Sequence, residues 1–198
     1  MTIVVGITGG IGSGKSTLSN SLKKKGYLVH ESDAVVSNMY KNPNKIFLNL
    51  LISSDLGNAI KNKKIDKQLV AKIIFNNKIF RNKIEKYIHK EVSLQRKFFI
   101  EKNLKSKKKV IFIDVPLLLE KKLEKQFDLV VSIISTKKNR TKRVLKNKKF
   151  SKRTLNKIFT LQTSDKERRM RSNIIIYNNN TKKDFLRRAD QVLIRGLK

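Results

Sequence analysis

Short β-branched apolar runs lie at Ile3-Ile7, Tyr27-His30, Val110-Ile113, Leu129-Ile134 and Ile174-Tyr177, and the stretches between them carry helical spacing. Strands joined in this way by helices predict an α/β fold, a five-stranded parallel sheet with helices on both faces. The interval 32–108 is too long for one crossover and holds no comparable strand. Its apolar residues Phe47, Leu48, Leu50 and Leu51, then Leu69, Ile73 and Ile74, then Ile84, Tyr87 and Ile88, then Val92, Phe98 and Phe99 recur three or four apart. That spacing predicts a helical insertion with its stripes packed as core. A second helical segment is expected over about 137–171, which leaves 1–31, 109–136 and 172–198 for the sheet and its flanking helices. The 198 residues suit one domain, burying roughly 70% of the surface that the unfolded chain exposes.

The run Gly9-Gly10-Ile11-Gly12-Ser13-Gly14-Lys15-Ser16-Thr17 follows the first apolar run directly and fits G-x-x-x-x-G-K-[ST]. Glycines let the backbone curl until successive N–H groups point inward, and the helix that follows contributes its positive N-terminal end. The segment Ser16 to Lys25 reads as that helix, ended by Gly26. Gly10, Ile11, Gly12, Ser13, Gly14, Lys15, Ser16 and Thr17 are therefore expected to hold ATP by its phosphates. Lys15 would reach the outer phosphates, and the Ser16 hydroxyl would ligate the accompanying Mg²⁺.

Composition changes this picture little. The formal net charge is +32, which ordinarily suggests a polyanionic partner. However, 36 of the 47 basic residues are lysine, in a chain crowded with asparagine and isoleucine, as A/T-rich codons supply. The lysines fall in scattered clusters (Lys23 to Lys25, Lys61 to Lys64, Lys105 to Lys109, Lys146 to Lys149) without aromatic interleaving, and are read as solvated faces rather than a specific nucleic-acid site. Cysteine is absent, which excludes disulfides and thiolate metal sites. No apolar stretch has membrane-spanning length and the first residues lack a basic leader, so a cytoplasmic protein is expected, without membrane partners.

Ligands of open parallel sheets bind beyond the carboxyl ends of the strands. Thr8 follows the first run, Asp33 the second and Asp114 the third, with 137–149 after the fourth. Asp33 suits either catalysis or an N-cap for a helix Ala34 to Tyr40. Asp114, ahead of Pro116-Leu117-Leu118-Leu119-Glu120, suits either the Mg²⁺ shell or a cap. Arg140, Arg143 and Asn147 share one helix face, another helix runs from Phe150-Ser151 through Gln162, and Arg168, Arg169 and Arg171 follow. A helical hairpin carrying arginines over the nucleotide would act as a lid that neutralises the transferring phosphoryl group and excludes water; a solvated basic helix is the alternative.

These residues together resemble the dephospho-CoA kinase family over nearly the whole chain. Gly6-Ile7-Thr8-Gly9-Gly10-Ile11-Gly12-Ser13-Gly14-Lys15-Ser16-Thr17 is similar to that family's opening fingerprint, and Asp114-Val115-Pro116-Leu117-Leu118-Leu119-Glu120 to its Pro-Leu-Leu-x-Glu signature. Glu31-Ser32-Asp33 keeps the last aspartate of an Asp-Ala-Asp element. Ile65-Asp66-Lys67 with Leu69 and Phe75 has lysine in place of arginine, and Ile88-His89 is followed by Lys90 in place of proline. Gln162, Arg168 and Ile176-Tyr177-Asn178-Asn179 fit the C-terminal part. The lid element Gln-x-x-Arg-x-x-x-Arg stands here as Arg140-x-x-Arg143-x-x-x-Asn147, and Ala-Asp before the last strand as Ser172-Asn173.

The resemblance implies a P-loop NTPase-like fold and phosphorylation of the 3′-hydroxyl of dephospho-CoA by ATP·Mg²⁺, completing coenzyme A synthesis in a monomeric enzyme. It implies that Asp33 takes the hydroxyl proton, that Lys15, Arg140 and Arg143 meet the phosphates with Thr8 beside the reacting centre, and that Ser16 and Asp114 face the metal. Lys67, His89, Pro116, Leu117 and Glu120 would line the acceptor site, although His89 also suits a packed, hydrogen-bonded role. His30 is read as structural. The competing readings are a nucleoside monophosphate kinase of the same fold and an ATP-switched nucleic-acid-binding protein. A GTPase is disfavoured because no Asn-Lys-x-Asp follows the fourth or fifth strand.

Overall fold

The computed structural model describes residues 2–54, 56–61, 64–105, 108–146 and 150–196. The chain divides into two compact units, Met1–Glu31 with Ile100–Lys198, and Ser32–Phe99. In chain order, β1 (Ile3–Gly9) leads through a glycine-rich loop to α1 (Lys15–Lys24) and β2 (Leu28–Glu31). The second unit holds α2 (Ser32–Lys41), α3 (Lys45–Ile52), the short strands β3 (Ile60–Lys61) and β4 (Lys64–Ile65), α4 (Lys67–Asn76) and most of α5 (Lys78–Leu104). The first unit resumes with β5 (Val110–Asp114), β6 (Leu129–Ile134), α6 (Lys137–Lys146), α7 (Lys152–Leu161), α8 (Asp165–Met170), β7 (Ile174–Tyr177) and α9 (Lys182–Gly196).

The first unit is built on a parallel sheet in the order β2-β5-β1-β6-β7. Its central strands are apolar on both faces because both are covered: Val5, Ile7, Ile111, Phe112, Ile113, Val131 and Ile133 are all buried. Leu18 and Leu22 of α1 and Phe185, Ala189 and Leu193 of α9 join the same core. Gly6 is required by close packing, since a Cβ there would lie 2.7 Å from Leu118 Cδ1 and 2.9 Å from Phe127 Cγ. The five predicted strands are all present, each within a residue or two of its expected ends.

The second unit has its own core of Met39, Phe47, Leu51, Leu56, Ala59, Val70 and Ile84. Phe47 stacks on Tyr87 at 5.4 Å and meets Tyr40 edge-on at 5.3 Å. The helical stripes thus pack as expected, except that Phe98 is 66% exposed, and the side chains of Ile74 and Phe75 lie outside the described residues. Two features depart from the expectation. An antiparallel β3–β4 pair interrupts the helices, with two residues per strand and so no readable period. The division falls inside α5, after residue 99 rather than 108, because the helix runs on unbroken by any capping signal in its sequence. Among the described residues no helix is long and apolar enough to cross a membrane.

Candidate active site

All strands of the parallel sheet end at one edge, and register places Ile7 and Glu31 beside Asp114, and Gly9 beside Ile133. The loop leaving β1 therefore curls over the carboxyl end of the sheet. Gly12 (φ 73°) and Gly14 (φ 109°) occupy the left-handed region, which lets the chain turn sharply into α1 with Gly14 as N-cap. The loop closes on itself through Ser13 N–H to Gly10 O at 3.0 Å, and Thr17 N–H donates to Gly14 O at 3.0 Å.

Lys15, the first residue of α1, reaches back to the end of β5, where its Nζ lies 3.0 Å from Asp114 Oδ1. The alignment is that of an ion pair rather than a well-directed hydrogen bond, because Oδ1 has no hydrogen-bond partner of good geometry. The other carboxylate oxygen accepts from Ser19 Oγ at 2.8 Å, one turn further along α1 and fully buried. Ser16 stands exposed on the same first turn.

The segment 135–178 grips the loop from two sides. Over its first half, Gln162 Oε1 accepts from Ile11 N–H at 2.9 Å. Arg140 lies against Gly10, with its guanidinium 5.1 Å over the Phe159 ring and 3.5 Å from Asp165. Around the second half, Arg143 Nη1 donates to Gly12 O at 3.2 Å and to Ser135 Oγ at 3.1 Å, while Nη2 donates to Asn178 O at 2.9 Å and Oδ1 at 3.1 Å. Burial holds the Arg143 guanidinium below its ordinary pKa. Arg140 and Arg143 thus share a face as expected, but Arg143 is directed to carbonyl oxygens behind the loop rather than to its mouth. Asn147 lies outside the described residues.

Glu120, expected to line the acceptor site, is engaged in an ion pair with Arg168. Its Oε1 accepts from Thr163 N–H at 2.9 Å and from Arg168 Nη2 at 2.8 Å, its Oε2 is buried, and the Arg168 side chain is 0% exposed. Burial pushes the carboxyl up, but the Thr163 and Glu120 amides, the Arg168 charge and the Thr163 hydroxyl together hold it below the ordinary value. Arg168 and Arg171 are both engaged with carboxylates. Arg171 binds Glu167 (2.5 Å), Glu124 and Leu119 O (2.7 Å), and the Glu167 hydrogen bond, outweighing burial together with Glu124, holds it above its ordinary value. Thr8 is the penultimate residue of β1, wholly buried, and its hydroxyl donates to Pro116 O at 3.3 Å. Asp33 lies within the first turn of α2, which already starts at Ser32, so Asp33 is not its N-cap.

The family described as dephospho-CoA kinase matches residues 3–184. The chain belongs to the dephospho-CoA kinase family. It is 32% identical over 191 residues to the dephospho-CoA kinase of Fusobacterium nucleatum, covering 96% of each chain. It is 34% identical over 187 residues to that of Buchnera aphidicola, covering 93% of this chain and 82% of the other. The solved structure of dephospho-CoA kinase from Campylobacter jejuni shares the fold, with a TM-score of 0.75 at 23% identity over 98% of this chain and 97% of that one.

Within this family member, Lys67 opens α4 with its ammonium 4.9 Å over the Tyr40 ring. His89 is exposed on α5, which removes the packed alternative, and His30 is buried in β2. Pro116 is half-buried and Leu117 40% exposed on the loop after β5. The departure at Ser172-Asn173 has a backbone role: Asn173 Oδ1 accepts from Val130 N–H at 2.8 Å, which an aspartate would also do, and Ser172 Oγ meets Ser132 Oγ at 2.7 Å. Sequence reasoning missed Ser19, Ser135 and the contacts of Gln162 and Asn178. Each acts through a single oxygen or amide on a distant segment, and no periodicity marks that.

Proposed function

We propose that the chain transfers the γ-phosphoryl group of ATP to the 3′-hydroxyl of dephospho-CoA, giving coenzyme A and ADP. The observation that carries this reading is Lys15 held by Asp114 at the mouth of a glycine loop, in a chain of the dephospho-CoA kinase family. The loop amides and Lys15 would bind the β- and γ-phosphates, with Arg140 neutralising charge from above Gly10. Arg143 would act indirectly, by fixing the carbonyls behind the loop so that its amides face the phosphates. The segment 137–171 then serves as the lid.

The residues present fit a magnesium ion. Ser16 offers an exposed hydroxyl, and Asp114 a carboxylate whose Oδ1 is ion-paired with Lys15 and would be shared with the metal. Magnesium takes few protein ligands beside phosphate and water, so the lack of any cluster of three acidic or histidine side chains among the described residues is no obstacle. When bound, such an ion neutralises phosphate charge.

The second unit would hold the acceptor. Tyr40, Lys41, Lys64, Asp66 and Lys67 line a cavity of about 490 Å³ with three ammonium groups and an aromatic face, chemistry suited to a diphosphate joined to an adenosine. Asp33 would accept the 3′-hydroxyl proton as it attacks. His89 is proposed as an acceptor contact from the second unit, Pro116 and Leu117 as acceptor contacts from the first, and the enzyme is proposed to act as a cytoplasmic monomer. The test is ADP release with ATP·Mg²⁺ and dephospho-CoA, CMP, AMP, shikimate or no acceptor. Release that requires dephospho-CoA and yields coenzyme A is expected; equal release with CMP or AMP would overturn the reading.

A further inference from the structure

We infer that Asn178 is a positioning residue of the phosphate loop, coupling the carboxyl end of β7 to the orientation of the loop amides. The inference rests on the proposed binding of ATP at that loop and adds a residue that does not itself touch the nucleotide. Asn178 follows the last residue of β7 and is 6% exposed. Its Nδ2 donates to Ser13 O at 2.7 Å, and its Oδ1 accepts from Arg143 Nη2 at 3.1 Å. The backbone is equally engaged: N–H donates to Ile134 O at 2.8 Å, and O accepts from Ser135 Oγ at 2.6 Å and Arg143 Nη2 at 2.9 Å.

The carboxamide has one chemically sensible orientation. Rotating it by half a turn would set an N–H against the guanidinium and an oxygen against the Ser13 carbonyl. Only asparagine supplies both a donor to the loop and an acceptor to Arg143 from this position. Aspartate would lose the donor, and glutamine would carry its carboxamide one methylene further from the backbone. The fit also explains Gly14, since a Cβ built there would collide with Asn178 Nδ2 and the residue holds φ 109°. A peptide plane is rigid, so a hydrogen bond that fixes the Ser13 carbonyl also fixes the Gly14 N–H on the opposite side of that plane. Asn178 and Arg143 thereby aim backbone donors inward without presenting a group to the phosphates.

The test compares wild type with Asn178→Asp and Asn178→Ala by direct titration of ATP·Mg²⁺, steady-state KM for each substrate, and thermal melting. In Asn178→Asp the carboxylate still accepts from Arg143, so the fold should persist while the bond to Ser13 is lost. Expected are an ATP dissociation constant and ATP KM raised about tenfold, with the acceptor KM within about twofold of wild type. Asn178→Ala should show the same split with a lower melting temperature. A purely structural role would instead lower stability and disturb both substrates alike, or leave ATP affinity unchanged in a folded variant; either result overturns the inference. Failure of both variants to fold also overturns it. A wild type that does not bind ATP·Mg²⁺ would overturn the functional reading itself, and is read before any variant.

Discussion

Lys15 Nζ and Asp114 Oδ1 stand 3.0 Å apart, joining the first residue of α1 to the last of β5 with 12% and 7% of the two side chains exposed. The lysine that would meet the triphosphate has a counter-charge within the fold, and Ser19 fixes the far oxygen of that carboxylate. Asp114→Asn should therefore destabilise the nucleotide-free protein by about 1–3 kcal/mol, less than for a fully enclosed pair because Lys15 retains access to water. Turnover should fall about a hundredfold. Melting curves with and without ATP·Mg²⁺, alongside kcat, check this; a variant with wild-type stability and rate would remove Asp114 from the site.

Asp33 tests the chemistry separately from the fold. It is exposed in the first turn of α2, so Asp33→Asn should melt as wild type does. Loss of a general base is expected to lower kcat about a hundredfold or more while ATP affinity stays unchanged. Near-normal kcat in the variant would show that another group, or solvent, takes the proton.

Glu120 gives a dependence on pH. Its carboxyl is held below the ordinary glutamate value of about 4.3, so the folded state gives up this proton more readily than the unfolded state does. The stability it contributes is complete above that value and is lost as pH falls through the lowered folded value. Urea unfolding should show wild type losing more stability on acidification from pH 6 through this window than Glu120→Gln, in which the site does not titrate. Parallel pH profiles would exclude the Glu120–Arg168 pair as an acid-sensitive contact.

Gly10 carries no positive φ, so alanine there meets no backbone strain. The new methyl would instead meet the end of Arg140 and lie 3.2 Å from Gln162 Oε1. Gly10 is buried and the displaced side chains carry the Ile11–Gln162 hydrogen bond, so Gly10→Ala is expected to destabilise the protein by about 1 kcal/mol. The ATP KM should rise about tenfold as Arg140 and Gln162 are pushed from the loop. A rise confined to the acceptor KM would contradict that placement.

The phosphate loop, the five strands and the helical character of 32–99 were legible because each is a local matter. Glycine spacing, β-branched runs and helical stripes act through neighbours in the chain. The β3–β4 pair was not legible, being two residues per strand. Nor was the start of α2 at Ser32, where capping by Asp33 and continuation of the helix read alike.

The charged residues mark the boundary between what the two levels decide. By itself the sequence determined that a glycine-rich turn follows the first strand and that the chain folds as α/β, since turn geometry and hydrophobic period follow from residue type. Only the tertiary structure decided what each arginine and carboxylate does. In a chain of net charge +32, Arg140, Arg143, Arg168 and Arg171 look equivalent as letters. Burial and partners separate them: Arg140 lies over the loop, Arg143 behind it, and Arg168 and Arg171 in ion pairs with Glu120 and Glu124. The bond from Asn178 to Ser13 spans 165 residues, and electrostatic and hydrogen-bond energy depends on distances that exist only once the sheet has brought such segments together.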